Sequence, residues 1–187
     1  MTSPELMAPL HGGRLRCLYD QAQVKDALKR MAGEINATFS GAEPVVVLGV
    51  MNGALVTLGQ LLTDLKFPLY LDYVHATRYQ QGETGGELQW QRRPEEPLAG
   101  HQVLIVDDIL DWGITLAALV EHCRQAGATD VKTAVLARKQ RAQPPAIEAD
   151  FAALEVPDEY VLGYGMDYRG LWRNLPGIYV LEPGPHE

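Results

Sequence analysis

Cysteine is nearly missing from this chain: 187 residues hold only Cys17 and Cys123. They lie far apart and match no metal-ligand spacing, which excludes a disulfide framework and a paired-cysteine zinc site. Both read as reduced, partly buried thiols, Cys123 within a helix and Cys17 just before one. Aromatic residues are also few, with three phenylalanines and three tryptophans, so the core must come from Val, Leu, Ile and Ala. No apolar run approaches the roughly eighteen residues that span a bilayer. No basic segment leads into an apolar one near the N-terminus, so neither a membrane partner nor a signal peptide is expected, and a cytoplasmic location is. Positive charge is in deficit, 16 Lys and Arg against 24 Asp and Glu, for a net charge of -8. That balance argues against a nucleic-acid partner or an anionic membrane. It leaves room for a small anionic ligand, because backbone donors and a metal can overrule net charge locally. Internal repeats and low-complexity segments are absent too.

What is present suits one α/β domain over residues 1–187. Residues 1–18, with Pro4, Pro9, Gly12 and Gly13, read as an irregular lead-in. Asp20 and Gln23 form a capping box, and Val24, Leu28, Met31 and Ile35 recur at helical spacing over residues 21–38. Pro44-Val-Val-Val-Leu-Gly49-Val is a continuous apolar strand, the kind covered on both faces in a parallel sheet. Met51-Asn52-Gly53 is a tight turn, residues 54–65 a helix and residues 68–74 a strand. Residues 75–100 lack periodicity but carry Arg78, Tyr79 and Trp90. A stretch this long in a small domain is functional or disordered, and the aromatics favour a β-arm or lid. Strand 102–107, helix 114–126 closed by Gly127, and strand 130–137 follow, the last leading into Arg138, Lys139 and Arg141. Tyr160-Val161-Leu162 reads as a short strand, Gly163 to Asp167 as a turn, Leu171-Trp172 as one helical turn, and Ile178 to Leu181 as the last strand. Strands alternating with helices imply right-handed crossovers and a mostly parallel sheet flanked by helices.

The chemistry concentrates in Val103-Leu-Ile-Val-Asp107-Asp108-Ile-Leu-Asp111-Trp112-Gly113-Ile114-Thr115. An apolar strand ends in acids, at the carboxyl edge where open α/β sheets bind ligands. The turn lacks the lysine and wider glycine spacing of a nucleoside-triphosphate loop, and it lacks the three-glycine dinucleotide fingerprint. Asp107 and Asp108 point to opposite sides if the strand continues through them. The plain structural alternative has Asp108 and Asp111 capping the next helix. Against it stands Gly113-Ile114-Thr115 at the helix start, where free N–H groups, the helix dipole and a hydroxyl make a monophosphate cradle. Carboxylates beside such a cradle make sense if they address ribose hydroxyls or a magnesium ion held with them.

This segment resembles the phosphoribosyl diphosphate motif of the type I phosphoribosyltransferases, and the later stretches Val135-Leu-Ala-Arg-Lys139 and Asp150 through Pro176 resemble their hypoxanthine-guanine branch. The resemblance implies that fold, with a small hood built from residues 1–18 and 150–187 over the base. It implies ribose binding by Asp107 and Asp108, and phosphate binding by Asp111, Trp112, Gly113, Ile114 and Thr115. The two later stretches imply that Lys139 donates to a 6-oxo group, Tyr160 stacks on the purine and Val161 gives backbone contacts. Asp167, with Asp107 and Asp108, would hold Mg2+, and Arg173 would meet diphosphate. Each has a bland alternative: a surface lysine, a core tyrosine, an Asx-turn stabiliser at Asp167 and an exposed arginine. Asp111 is the candidate general base or hydrogen-bond acceptor for the N7 proton. Tyr79 is the lid candidate, with His75 behind it.

The implied activity moves a phosphoribosyl group from 5-phosphoribosyl 1-diphosphate to N9 of hypoxanthine, and of guanine, in purine salvage. A paralogue for xanthine or another base, or a non-catalytic nucleotide sensor, are the alternatives. The resemblance also implies a homodimer or homotetramer. Two positions depart from the family pattern. Asn52 precedes Gly53 where a lysine is common, leaving that turn's backbone, through a strained or cis peptide as in relatives, to bind diphosphate. Trp112 stands where a threonine or small polar residue is usual.

Overall fold

Val45–Val50, buried along its whole length, forms β2 near the middle of a six-stranded sheet. The computed structural model describes residues 14–41, 43–78 and 88–182. Within that span β1 covers Arg14–Tyr19, α1 Gln21–Thr38, α2 Ala54–Leu61, β3 Leu69–Arg78, β4 Leu88–Arg92 and β5 Gln102–Leu110. Then come α3 at Ile114–Gln125, β6 at Asp130–Gln140, β7 at Phe151–Pro157, β8 at Val161–Leu162 and β9 at Ile178–Glu182. The large sheet has the order β4-β3-β2-β5-β6-β7, and β1-β9-β8 make a small second sheet. Strands β3, β2, β5, β6 and β7 run parallel, and only β4 pairs antiparallel with its neighbour β3. The fold is therefore the expected one, a mostly parallel sheet with helices on both faces.

The period of two in the strands divides the core. Val45, Val47, Leu104 and Val106 pack with α1 and α2 residues such as Leu28, Met31, Ile35 and Leu61. Val46, Leu48, Val103 and Ile105 turn to the other face, against Leu116, Leu119, Val120 and Cys123 of α3. Because successive side chains alternate, both faces of β2 and β5 must be apolar, and the sequence supplies that. Helix α1 begins as its residues dictate: Asp20 accepts from the Gln23 N–H at 2.9 Å, and Gln23 answers through its side chain. Gly127 takes the left-handed conformation that ends α3, with φ of 88°.

Several expectations need correcting. The lead-in is not irregular throughout: Arg14–Tyr19 pairs antiparallel with β9, a partner more than 150 residues away that local periodicity cannot reveal. Cys17, on that strand, is exposed, whereas Cys123 is buried, and burial pushes its thiol up to about 11. The expected helix 54–65 ends at Leu61 and tightens into a 3-10 turn over Leu62–Asp64. Residues 151–157 form the outer strand of the large sheet, parallel to β6, so they lie outside the small sheet that β8 and β9 build. Leu171-Trp172 is no helical turn; Leu171 bridges back to Tyr168 and Trp172 sits at φ of 71°. Finally, β5 and β6 run three residues past their expected ends, to Leu110 and Gln140. That extension carries the strand through the two acids.

Candidate active site

Because β5 continues in register to Leu110, Asp107 and Asp108 fall on opposite faces. Alternation carried on from Leu104, Ile105 and Val106 puts Asp108 on the first face and Asp107 on the second, and the clefts they line agree. Just beyond them the alternation slips, Ile109 packing with the first core and Leu110 with the second. Each opens into its own cleft. One, of about 180 Å3, is lined by Asp108, Ile109, Asp111, Lys139, Tyr160, Val161, Met166 and Asp167. The other, of about 330 Å3, is lined by Asp107, Ile109 to Leu116 without a break. Ile109 and Asp111 border both. The clefts are thus two halves of a groove along the carboxyl edge of the sheet, divided by the acidic strand end.

The larger half is the helix-start turn. Gly113 adopts φ of 68° as the N-cap of α3, and an added Cβ would stand 3.1 Å from both the Ile147 carbonyl and the Leu110 side chain. No capping side chain uses the first N–H groups of α3, so the orphan donors at this helix start face the cleft. Gly113 and Thr115 line it, as do the exposed Trp112 and Ile114. The smaller half is walled by the hood. Val161 is buried on β8, opposite Val180 of β9. Tyr160 is exposed, packs edge-on against Tyr168 at 5.5 Å and donates its hydroxyl to the Asp167 carbonyl at 2.9 Å. An aromatic face beside a buried backbone edge and an ammonium is what a flat, polar-edged ring requires.

Burial pushes Asp107 well above the usual carboxylate range, and the neighbouring Asp108 charge adds to it. Asp108 is also raised by burial, while a hydrogen bond from Asp107 and the charge of Arg173 pull it back. Two adjacent desolvated carboxylates disfavour a second negative charge. A cation, or hydroxyl donors, arriving at the groove relieves that repulsion. Asp108 also explains Gly53, whose added Cβ would lie 2.0 Å from Asp108 Oδ2. The Met51–Asn52 peptide before it is cis, and Asn52 is exposed.

Asp167 lines the smaller cleft, but both its oxygens are engaged: Oδ2 accepts from the Gly170 N–H at 2.7 Å, and Oδ1 pairs with Arg173 at 2.7 Å. The turn-stabilising role and the cleft position coexist in it. Arg173 lines neither cleft. It reaches the Gly165 carbonyl at 2.6 Å and acts on Asp108 through its charge. His75 lies on β3 opposite Arg92 and lines neither cleft. Tyr79 falls outside the described residues. Among the described residues no three of His, Cys, Asp and Glu gather into a metal cage. The donor set still suits Mg2+, a hard ion that settles for one or two carboxylates and completes its shell with water and phosphate oxygens.

One participant was missed. Arg141 donates from Nε to Asp111 Oδ1 at 2.5 Å, while Lys139 Nζ holds Asp111 Oδ2 at 3.1 Å. The Arg141 guanidinium lies over the Trp112 ring, 3.8 Å from its centre. The sequence showed a basic run at the end of β6. Nothing local showed that its third member returns to the acidic turn, since that follows from β6 pairing beside β5.

Residues 16–169 match the family described as the phosphoribosyl transferase domain. The chain is 30% identical to a hypoxanthine-guanine phosphoribosyltransferase of Aquifex aeolicus, over 94% of this chain and 99% of that one. It is 32% identical to the hypoxanthine-guanine phosphoribosyltransferase of Bacillus subtilis, over 92% and 96%. A crystal structure of a hypoxanthine phosphoribosyltransferase from Staphylococcus aureus superposes with a TM-score of 0.86 at 26% identity, covering 96% of this chain and 97% of that one.

Proposed function

This chain belongs to the phosphoribosyltransferase family, and from that premise we propose that it moves the 5-phosphoribosyl group of phosphoribosyl diphosphate onto N9 of hypoxanthine and guanine, a purine-salvage transfer. The observation that carries the reading is the pair of clefts meeting at Asp111 and Ile109, one built for an anion and one for a flat ring. A nucleotide has its ribose between base and phosphate, so the sugar belongs at that boundary, between Asp107 and Asp108. The 5-phosphate lies in the N–H cradle of Gly113, Ile114 and Thr115. The base lies against Tyr160, with Val161 at its edge and Lys139 donating to the 6-oxo group.

In the transfer the N9–C1 bond forms as the C1–O bond to diphosphate breaks, through an oxocarbenium-like state. The proton leaving the purine is taken at N7. Asp111 is the acceptor: a carboxylate has about four lone-pair sites, and the two cations on it leave room for another donor. Magnesium, when bound, offsets the charge growing on diphosphate; Asp107 and Asp108 would hold it, with Asp167 beside them. Arg173 and the Met51-Asn52-Gly53 backbone serve the leaving group, and Asn52 brings a donor there without charge. Tyr79, the lid candidate, lies outside the described residues. A homodimer or homotetramer and a cytoplasmic location accompany the reading.

The test is purified protein with magnesium, phosphoribosyl diphosphate and hypoxanthine, guanine, xanthine, adenine or uracil in parallel. Product from the first two alone is expected, with loss on chelation of the metal. Asp111→Asn is expected to lower kcat about 10²–10⁴-fold, the range of a general base, with smaller changes in KM. Turnover with xanthine in preference to hypoxanthine, or binding of every base without turnover, would overturn the proposal.

A further inference from the structure

Arg141 is held by three different groups. Besides Asp111, its Nη1 reaches Asp158 Oδ2 at 3.3 Å, and its third contact is the face of Trp112. Its side chain is only 13% exposed. Withdrawing a guanidinium from water is unfavourable unless its partners compensate, and here two carboxylates and an indole do. Trp112 is exposed at the rim of the phosphate cleft, and its ring is the shelf on which the guanidinium lies.

We infer that Arg141, laid on Trp112, is a positioning residue for base recognition, acting through Asp111 and Lys139. The inference rests on the proposed transfer to a 6-oxopurine and adds a specific element to it. Arg141 occupies Oδ1 of Asp111, so Lys139 is required only at Oδ2. An ammonium has three donors, and the remaining ones stay available to a ring oxygen in the cleft that Lys139 lines. Remove Arg141, and Asp111 is free to turn about its side-chain bond with Lys139 as its sole remaining cation. The lysine is then drawn off the base. The phosphate cradle is made of backbone N–H groups from Gly113 to Thr115 and does not use the guanidinium, so binding of phosphoribosyl diphosphate is insulated from the change.

Steady-state kinetics of the full chain, with magnesium and both substrates varied, test this. Arg141→Ala is expected to raise the KM for hypoxanthine about tenfold, the scale of one charge-assisted hydrogen bond, and to leave the KM for phosphoribosyl diphosphate unchanged. Arg141→Lys keeps the charge but cannot lie flat on the indole, so a smaller rise of about threefold is expected. Trp112→Ala is expected to raise it about threefold by removing the cation–π contact, and to add nothing to Arg141→Ala in the double variant. Mere loss of folded enzyme would scale kcat and leave both KM values in place. The inference is overturned if Arg141→Ala leaves the hypoxanthine KM unchanged, if both KM values rise together, or if the two substitutions multiply. Failure of the parent protein to form any IMP would instead overturn the transferase reading, and this inference with it.

Discussion

Asp107 and Asp108 are held where their own charges are unwelcome. In the unfolded chain each carboxyl titrates near its ordinary value, about 3.9; in the folded protein burial and mutual repulsion raise both. The native state therefore keeps protons that the unfolded state has lost. The stability tied to those protons is complete below the unfolded value and falls as pH rises through the raised native ones. Asp107→Asn is accordingly expected to raise the melting temperature at pH 7, with the gain shrinking on acidification toward about pH 4, while turnover falls. Thermal melts of both proteins across that pH range check it; a gain that grows on acidification would contradict the argument. Gly53 and Gly113 belong to the same scale. One yields space to Asp108, where a Cβ would collide, and the other holds a left-handed turn against close neighbours, where a side chain is strained.

At the scale of elements, the β3–β4 hairpin hangs on one buried acid. Asp72 has a side chain only 5% exposed and accepts from Arg92 at 2.6 Å and from the N–H groups of Tyr73, Glu95 and Glu96. Burial alone would raise its pKa, yet those donors bring it below the usual carboxylate value. Arg92 also stacks on Tyr73, 3.8 Å from the ring centre. Asp72→Ala leaves the N–H groups of Tyr73, Glu95 and Glu96 without their acceptor, while Arg92 keeps the Tyr73 carbonyl and Glu95. The expected loss is about 1–3 kcal/mol, the scale of donors left unsatisfied, read as a lower urea midpoint. The capping box of α1 was legible from Asp20 and Gln23 because both partners lie within one turn. Asp72 was not, because its donors other than Tyr73 come from a segment some twenty residues on, beyond a stretch with no periodicity.

Across the whole molecule, the hood closes the base cleft with strands from both ends of the chain. β9 is the middle strand, pairing with β1 on one side and β8 on the other. Arg16 ties the edge through Glu182 at 2.7 Å and Glu159 at 3.1 Å, and the Tyr19 hydroxyl donates to the Glu155 carbonyl on β7 at 2.7 Å. Truncation before Ile178 takes the partner from Val161 and so the cleft's edge. That variant is expected to lose turnover with hypoxanthine and, because Ile178 and Val180 are fully buried in the core that α1 packs into, to melt at a lower temperature. Retained activity would show that the small sheet is dispensable to the base.

The chain by itself determined the alternation of strands and helices, the two-sided apolar strands, the capping of α1 and the acidic turn with its phosphate-sized bend. Each is written in contiguous residues, where period and local hydrogen bonding decide. Which acid faces which cleft, the pairing of Arg14–Tyr19 with β9, the placing of residues 151–157 in the large sheet, and the return of Arg141 onto Trp112 and Asp111 were settled only by tertiary structure. Those contacts join residues distant in sequence, and their geometry is set by strand order and register, which no local pattern encodes.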